Sequence, residues 1–191
     1  MKNKLAKAIR IISVSPIMAT TMLLLLFFLV PNFFSRTLDL ILAILFLAIL
    51  PVLAYPICFF IPALKAKGRT FERNLAIVFS MLGYAFGIVY CYAFGGTPFE
   101  LTIYLTYLFT GLLIALFTFV FKYKASGHAS GVSGPIVALS YFVSPWILFG
   151  YIIFLAVLWS SLQLKRHTIM QFLIGGVLPA LSFGLALIIA L

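Results

Sequence analysis

The sequence predicts an all-α, polytopic transmembrane helix bundle, and three observations carry that reading. Of the 191 residues, 65% are hydrophobic and only 8% charged, and the mean hydropathy is +1.25. A soluble domain is about half apolar and about a quarter charged. Apolar residues run continuously over lengths that suit membrane helices, without the alternation of barrel strands. The 13 Lys and Arg against 3 Asp and Glu give a formal charge of +10 and a pI near 9.9, and these charges cluster between the apolar runs. This balance excludes a soluble enzyme, a disordered tail and an ordinary nucleic-acid binder, which needs a broad water-facing basic surface.

Seven stretches approach the roughly 20 apolar residues that cross a bilayer, at roughly 11–34, 38–62, 75–96, 98–121, 128–143, 145–163 and 168–190. Together they make residues 1–191 one membrane domain of about seven spans, with no linker long enough for a separate soluble unit. Residues 1–10 form a basic tail in which Leu5, Ile9 and Ile12 share a helical face, a pattern suited to a helix lying on the membrane surface. The first run ends in Val30-Pro31-Asn32-Phe33-Phe34 rather than at a small-residue cleavage site, so it reads as a retained helix. Gly83 and Gly87 on the third span, and Gly176, Ala180 and Gly184 on the seventh, repeat a four-residue spacing that lets helices approach closely. We read both sets as bundle packing. Ser144-Pro145 marks a tight hairpin between the short fifth span and the sixth. Cys58 and Cys91 lie in separate spans without CxxC spacing, as small core residues do.

On this parse twelve of the thirteen cations share one side of the membrane. They are Lys2, Lys4, Lys7 and Arg10, then Lys65, Lys67, Arg69 and Arg73, then Lys122 and Lys124, then Lys165 and Arg166. The other side keeps Arg36, with Asp39 and Glu100. The positive-inside rule makes the basic side, and the N-terminus with it, cytoplasmic. The expected location is therefore the cell membrane, as a multi-pass protein.

Polar groups concentrate in three basic loops on that side, Lys65 to Arg73, Lys122 to Gly131, and Lys165 to Thr168. The only two histidines, His128 and His167, fall in the second and third. Their position leaves two roles open, idle interfacial residues or a reactive pair. A neutral imidazole is a competent nucleophile, and a second one is a suitable acid near neutral pH. Lys67, Arg73, Lys124 and Arg166 offer positive charge to a phosphoryl group, and the free N–H groups after Ser126 form an anion site at a helix mouth. Three acids are too few for a Mg²⁺ cage, since that ion prefers oxygen ligands. This sets aside the prenyltransferases and CDP-alcohol transferases, which hold Mg²⁺ with aspartate clusters. Only Glu72 lies on the basic side, where it is expected to pair with Arg69, Arg73 or Lys65. No metal site and no cofactor is expected.

Ser126-Gly127-His128, opening a helix in a run of small residues, resembles the Pro-Ser-Gly-His motif of the type 2 phosphatidic acid phosphatase superfamily, with Ala125 at the proline position. The third motif of that superfamily is Ser-Arg, five residues, His, three residues and Asp. Here Ser160-Ser161 is followed by five residues, His167, three residues and Gln171. The first motif, Lys with six residues before Arg-Pro, is matched loosely by Lys67 and Arg73-Asn74 with five between. The resemblance covers roughly residues 63–175. It implies a six-helix core and a metal-independent phosphatase acting on a lipid phosphate or an isoprenoid (di)phosphate. It makes His167 the nucleophile that forms a phosphohistidine and His128 the acid. Phosphate contacts would come from Lys67, Arg73, Lys124, Ser126, Gly127 and Arg166, and the partner would be a phosphorylated lipid among membrane lipids rather than nucleic acid.

Two positions depart from the pattern. Ser161 stands where a phosphate-binding arginine is expected, with Arg166 the candidate substitute. Gln171 stands for the aspartate that orients the nucleophile, in a His-Thr-x-x-Gln ending that looks like a divergent branch. Gln171 either orients His167 or closes the capping box Thr168-Ile-Met-Gln171. These departures keep a second reading open, a protein that binds or helps translocate a phosphorylated lipid without hydrolysis. A small unrelated transporter fits less well, because the spans are nearly free of the ionisable residues such proteins place at mid-membrane.

Overall fold

The computed structural model describes residues 2–191, and every regular element among them is helical. In chain order these are α1 (Lys2–Ile12), α2 (Ser15–Leu29), α3 (Thr37–Ile44), α4 (Leu50–Phe60), α5 (Pro62–Lys65), α6 (Gly68–Phe94), α7 (Pro98–Ala115), α8 (Gly127–Phe142), α9 (Tyr151–Gln163) and α10 (Ile169–Ala190). Pro51 lacks the N–H that would continue an α-helical ladder, and just before it a π-turn over Leu45–Ile49 joins α3 to α4. A second π-turn, Leu116–Val120, extends α7, and a 3₁₀ turn, Pro145–Gly150, leads into α9.

All seven apolar stretches are helical, but they do not make seven spans. Five helices are long and apolar enough to cross a membrane: Thr37–Phe60, Gly68–Phe94, Pro98–Val120, Pro145–Gln163 and Ile169–Ala190. The α1–α2 pair makes a sixth, bent by 47°. This fits an integral multi-pass membrane protein. The stretch at 128–143 becomes α8, whose 16 residues reach only about 24 Å at about 1.5 Å per residue. A hydrocarbon core is about 30 Å thick.

The first stretch, read as one helix from 11 to 34, is broken at Ser13-Val14. Val14 is extended (φ −64°, ψ 144°) and Pro16 follows in the first turn of α2, where proline starts a helix that it could not continue. The surface helix expected of the tail is α1, and it lies along α9. Ser160 Oγ donates to the Ala6 carbonyl at 2.7 Å, and Gln163 Nε2 donates to Asn3 Oδ1 at 3.0 Å.

α8 sits at the centre, packed on α2, α9 and α10. Small residues permit this closeness. A Cβ at Gly131 would strike Ser15 of α2, and one at Gly176 would strike the Phe154 ring of α9. Ser133 Oγ donates to the Gly176 carbonyl at 2.6 Å. Gly83 faces the Phe46 carbonyl and Gly87 the Tyr104 ring, so that pair does pack inside the bundle. On α10 the pattern divides: Gly176 is buried, whereas Ala180 and Gly184 are exposed. The inward face runs instead through Gly175, Pro179, Ser182 and Ala186. Cys58 and Cys91 are both buried free thiols.

The two ends of the bundle differ chemically. At one, the buried Asp39 accepts from Arg36 Nη2 at 2.9 Å and from the Tyr90 hydroxyl at 2.7 Å. Glu100 is also buried there, both carboxylate oxygens unpaired. α6 reaches this end at Tyr90 and Phe94, both bonded to Arg36. Its 27 residues carry Gly68 about 40 Å away at about 1.5 Å per residue, to the basic end.

Gly83→Ala should lower the unfolding temperature in detergent, costing about 1–3 kcal/mol through overpacking on the Phe46 backbone. Gly184→Ala, with nothing near it, should be neutral or gain up to about 1 kcal/mol from helix propensity.

Candidate functional site

At the basic end, the starts of α8 and α10 meet the end of α1. Ser126 is the N-cap of α8, its Oγ accepting the Ala129 N–H at 3.2 Å. Its own N–H donates to the Gln171 carbonyl at 3.0 Å, which ties the second motif loop to the third. The Ser126 side chain, expected to contact phosphate, is thus buried as a helix cap. The N–H groups of Gly127 and His128 keep no backbone partner and are the open donors of this helix mouth. Gly175 lies directly beneath. A Cβ there would meet the Ser126 carbonyl and sit 2.8 Å from its nitrogen. Sequence reading missed Gly175; the available signal was its place one turn beyond Gln171 on the same face.

α10 opens with the capping box. Gln171 Oε1 accepts the Thr168 N–H at 3.1 Å, and Thr168 Oγ1 accepts the Gln171 N–H at 3.3 Å. The amide oxygen of Gln171 is therefore engaged by the helix start, and Nδ1 of His167 is buried without a hydrogen-bond partner. Nε2 remains the outward nitrogen of the ring.

The end of α1 and the residue after it supply two groups to which sequence reading gave no role at the site, Arg10 of the tail and Ser13 of the first apolar stretch. Ser13 Oγ donates to the Ile9 carbonyl at 2.7 Å and lies 3.0 Å from His128 Nε2. A hydroxyl has one proton to donate. With that proton on Ile9, Nε2 of His128 carries the hydrogen and Nδ1 is free. One turn earlier, Nη1 of Arg10 is buried and unpartnered, and its charge acts on His128, His167 and Arg166.

The third motif closes off α9. The Arg166 N–H donates to the Ser161 carbonyl at 3.0 Å, so the chain turns back on itself across the intervening residues. Ser161 is buried and its hydroxyl has no partner. Lys122 and Lys165, which lead into the second and third loops, both have φ 52°, a left-handed conformation costing a non-glycine residue about 1–2 kcal/mol.

Two expected contributors lie elsewhere. Lys67 is exposed with its Nζ 4.7 Å from the centre of the Phe71 ring, and Arg73 is exposed on α6, which packs on α4 and α7. Neither is among the charges that act on the histidines. Glu72 makes no ion pair either; Arg36–Asp39 is the one salt bridge among the described residues. No three His, Cys, Asp or Glu side chains among them converge as a metal site. The charges that bear on His128 are those of Arg10 and His167, and on His167 those of Lys124 and Arg10, while Arg166, exposed like Lys124, bears on Arg10 alone.

Burial lowers the pKa of His167, and the positive charges of Lys124 and Arg10 lower it further, against opposition from the Gln171 side chain and the Lys124 backbone. The free imidazole titrates near 6.5, so the ring is neutral at pH 7. Comparison with known proteins returned no match: no family model, curated sequence or solved structure is significantly similar to the chain.

Lys124→Gln removes a cation that disfavours imidazolium, so the His167 pKa should rise in an NMR titration. Lys67→Gln should leave it unchanged, and an equal rise there would contradict this placement of charges.

Proposed function

We propose that the protein is a membrane-embedded, metal-independent phosphatase acting on a lipid phosphate or isoprenoid (di)phosphate through a phosphohistidine. The observation that carries this reading is the meeting of the chain's only two histidines, within reach of each other's charge, among cations at the mouth of α8. His167 Nε2 attacks phosphorus, forming a P–N bond as the P–O bond to the leaving group breaks. Burial, and after it the charge of Arg10, push the His128 pKa down to about 4, so the ring is neutral until the anionic substrate binds beside it. Protonated there, it passes a proton from Nδ1 to the departing oxygen while Ser13 holds Nε2–H. Water then attacks phosphorus, the P–N bond breaks, His128 recovers a proton and phosphate leaves. Lys124 and Arg166, both exposed at the mouth of the site, stabilise the charge on the transferring group.

An apolar groove of about 440 Å³ between α2 and the α3–α4 helix, lined by Pro16, Ile17, Thr20, Val52 and Pro56, supports a substrate with a long apolar tail. It begins three residues after Ser13. Under the positive-inside rule the basic end, and hence the site, faces the cytoplasm, in the cell membrane.

One observation favours the second reading, binding or translocation of a phosphorylated lipid without turnover. Nδ1 of His167 makes no close hydrogen bond, and the groups that favour its charged form are the neutral Gln171 side chain and Lys124 backbone, where a carboxylate would stabilise a developing imidazolium more. Assay of the purified protein with phosphatidate and isoprenyl diphosphates decides between the two. The phosphatase should release phosphate equally with and without chelator. His167→Ala should cut the rate by about 10³-fold or more, and His128→Ala by about 10²–10⁴-fold. Binding without release supports the second reading.

A further inference from the structure

We propose that Arg10, carried by the N-terminal helix, is the phosphate-binding arginine of this site, in the role that Ser161 leaves vacant. The inference rests on the reading above, that the site takes a phosphate group. Arg10 is half-buried, and its Nη1 is fully buried without a partner. No carboxylate is at hand, since Glu72 is the only acid at this end and makes no ion pair. A guanidinium nitrogen withdrawn from water without a partner is unfavourable, and more so beside Arg166, whose like charge bears on it. An anion bound between them removes both penalties.

The scaffold holds Arg10 in that position from two sides. One turn before it, the Ala6 carbonyl accepts from Ser160 at 2.7 Å, and Ala6 is fully buried against α9. Three residues after it, Ser13 meets His128 of α8 at 3.0 Å. Arg10 is thus suspended between the helices that bear the second and third motifs, where its charge reaches both histidines. Ser160 and Ser161 are both fully buried, and Ser160 is the residue at which α1 closes on α9. An arginine at 161 would have to fit where a serine is already fully buried. The serine at 161 and the arginine at 10 are two parts of one arrangement, with the guanidinium supplied from α1 rather than α9. Its planar fork suits the oxygens of a phosphate dianion, and the Gly127 and His128 N–H groups at the start of α8 keep no backbone partner.

The test uses the full-length protein in detergent, with inorganic phosphate as probe, read by calorimetric titration and by thermal unfolding. Arg10→Gln should weaken phosphate binding by tenfold or more, while its phosphate-free unfolding temperature stays level or rises because an unpaired cation is gone. Arg10→Lys, which keeps charge but not the fork, should bind with intermediate affinity. Wild-type affinity in Arg10→Gln overturns the inference yet leaves the phosphatase reading standing if wild type releases phosphate. Loss of binding together with a lower phosphate-free unfolding temperature assigns Arg10 a structural role and also overturns it. If wild type neither binds nor releases phosphate, both readings fall.

Discussion

The hydrogen bond between Ser13 and His128 ties the N-terminal helix to the helix that opens the site, and much of the basic end depends on it. It forms because the chain breaks at Val14, ahead of Pro16, so that α1 turns aside instead of continuing into α2. Freed from the span, α1 lies on α9 through Ala6 and Ser160 and presents Arg10 and Ser13 to the two motif loops. The same contact holds the His128 ring through Nε2 and leaves Nδ1 free for the acid role proposed for it.

The second constraint is the placement of α8. It runs through the middle of the bundle from the Ser126 cap to Phe142, whose ring packs on Phe33 and Phe99 at the other end, and its N-terminus opens beside the starts of α10 and α2. The tie between the Ser126 N–H and the Gln171 carbonyl, with Gly175 beneath it, sets the separation of the two motif loops. Glycine at 175 is required there because any Cβ would meet the Ser126 backbone. Caps close both helices, Ser126 on α8 and Thr168 with Gln171 on α10, so the polar side chains nearest the histidines serve the backbone first. In the proposed mechanism the chemistry falls to the imidazoles and the cations around them.

Much of this architecture is legible in the sequence, because hydropathy and the placement of charge are local properties. The helices, the concentration of cations at one end and the approach of the second and third loops can all be read there. The capping box is legible as well, since Thr168 and Gln171 stand at the required spacing. The break at Ser13 is hidden by apolar residues that continue on either side of it, although Pro16 marks the place. Arg10 reads as one more basic residue of a tail, because nothing local connects it to Ser160, which lies far along the chain. Lys67 and Arg73 mislead for the opposite reason. Their spacing suits a phosphate motif, but α6 packs on α4 and α7 and leaves both side chains exposed.

The central claim is that both histidines belong to one anion site assembled from α1, α8 and α10. The most direct measurement is a titration of the isotopically labelled protein with inorganic phosphate, following both imidazoles by NMR in the presence of chelator. A single site requires the His128 and His167 signals to move together with one dissociation constant. Movement of only one ring, or two different constants, would contradict the account.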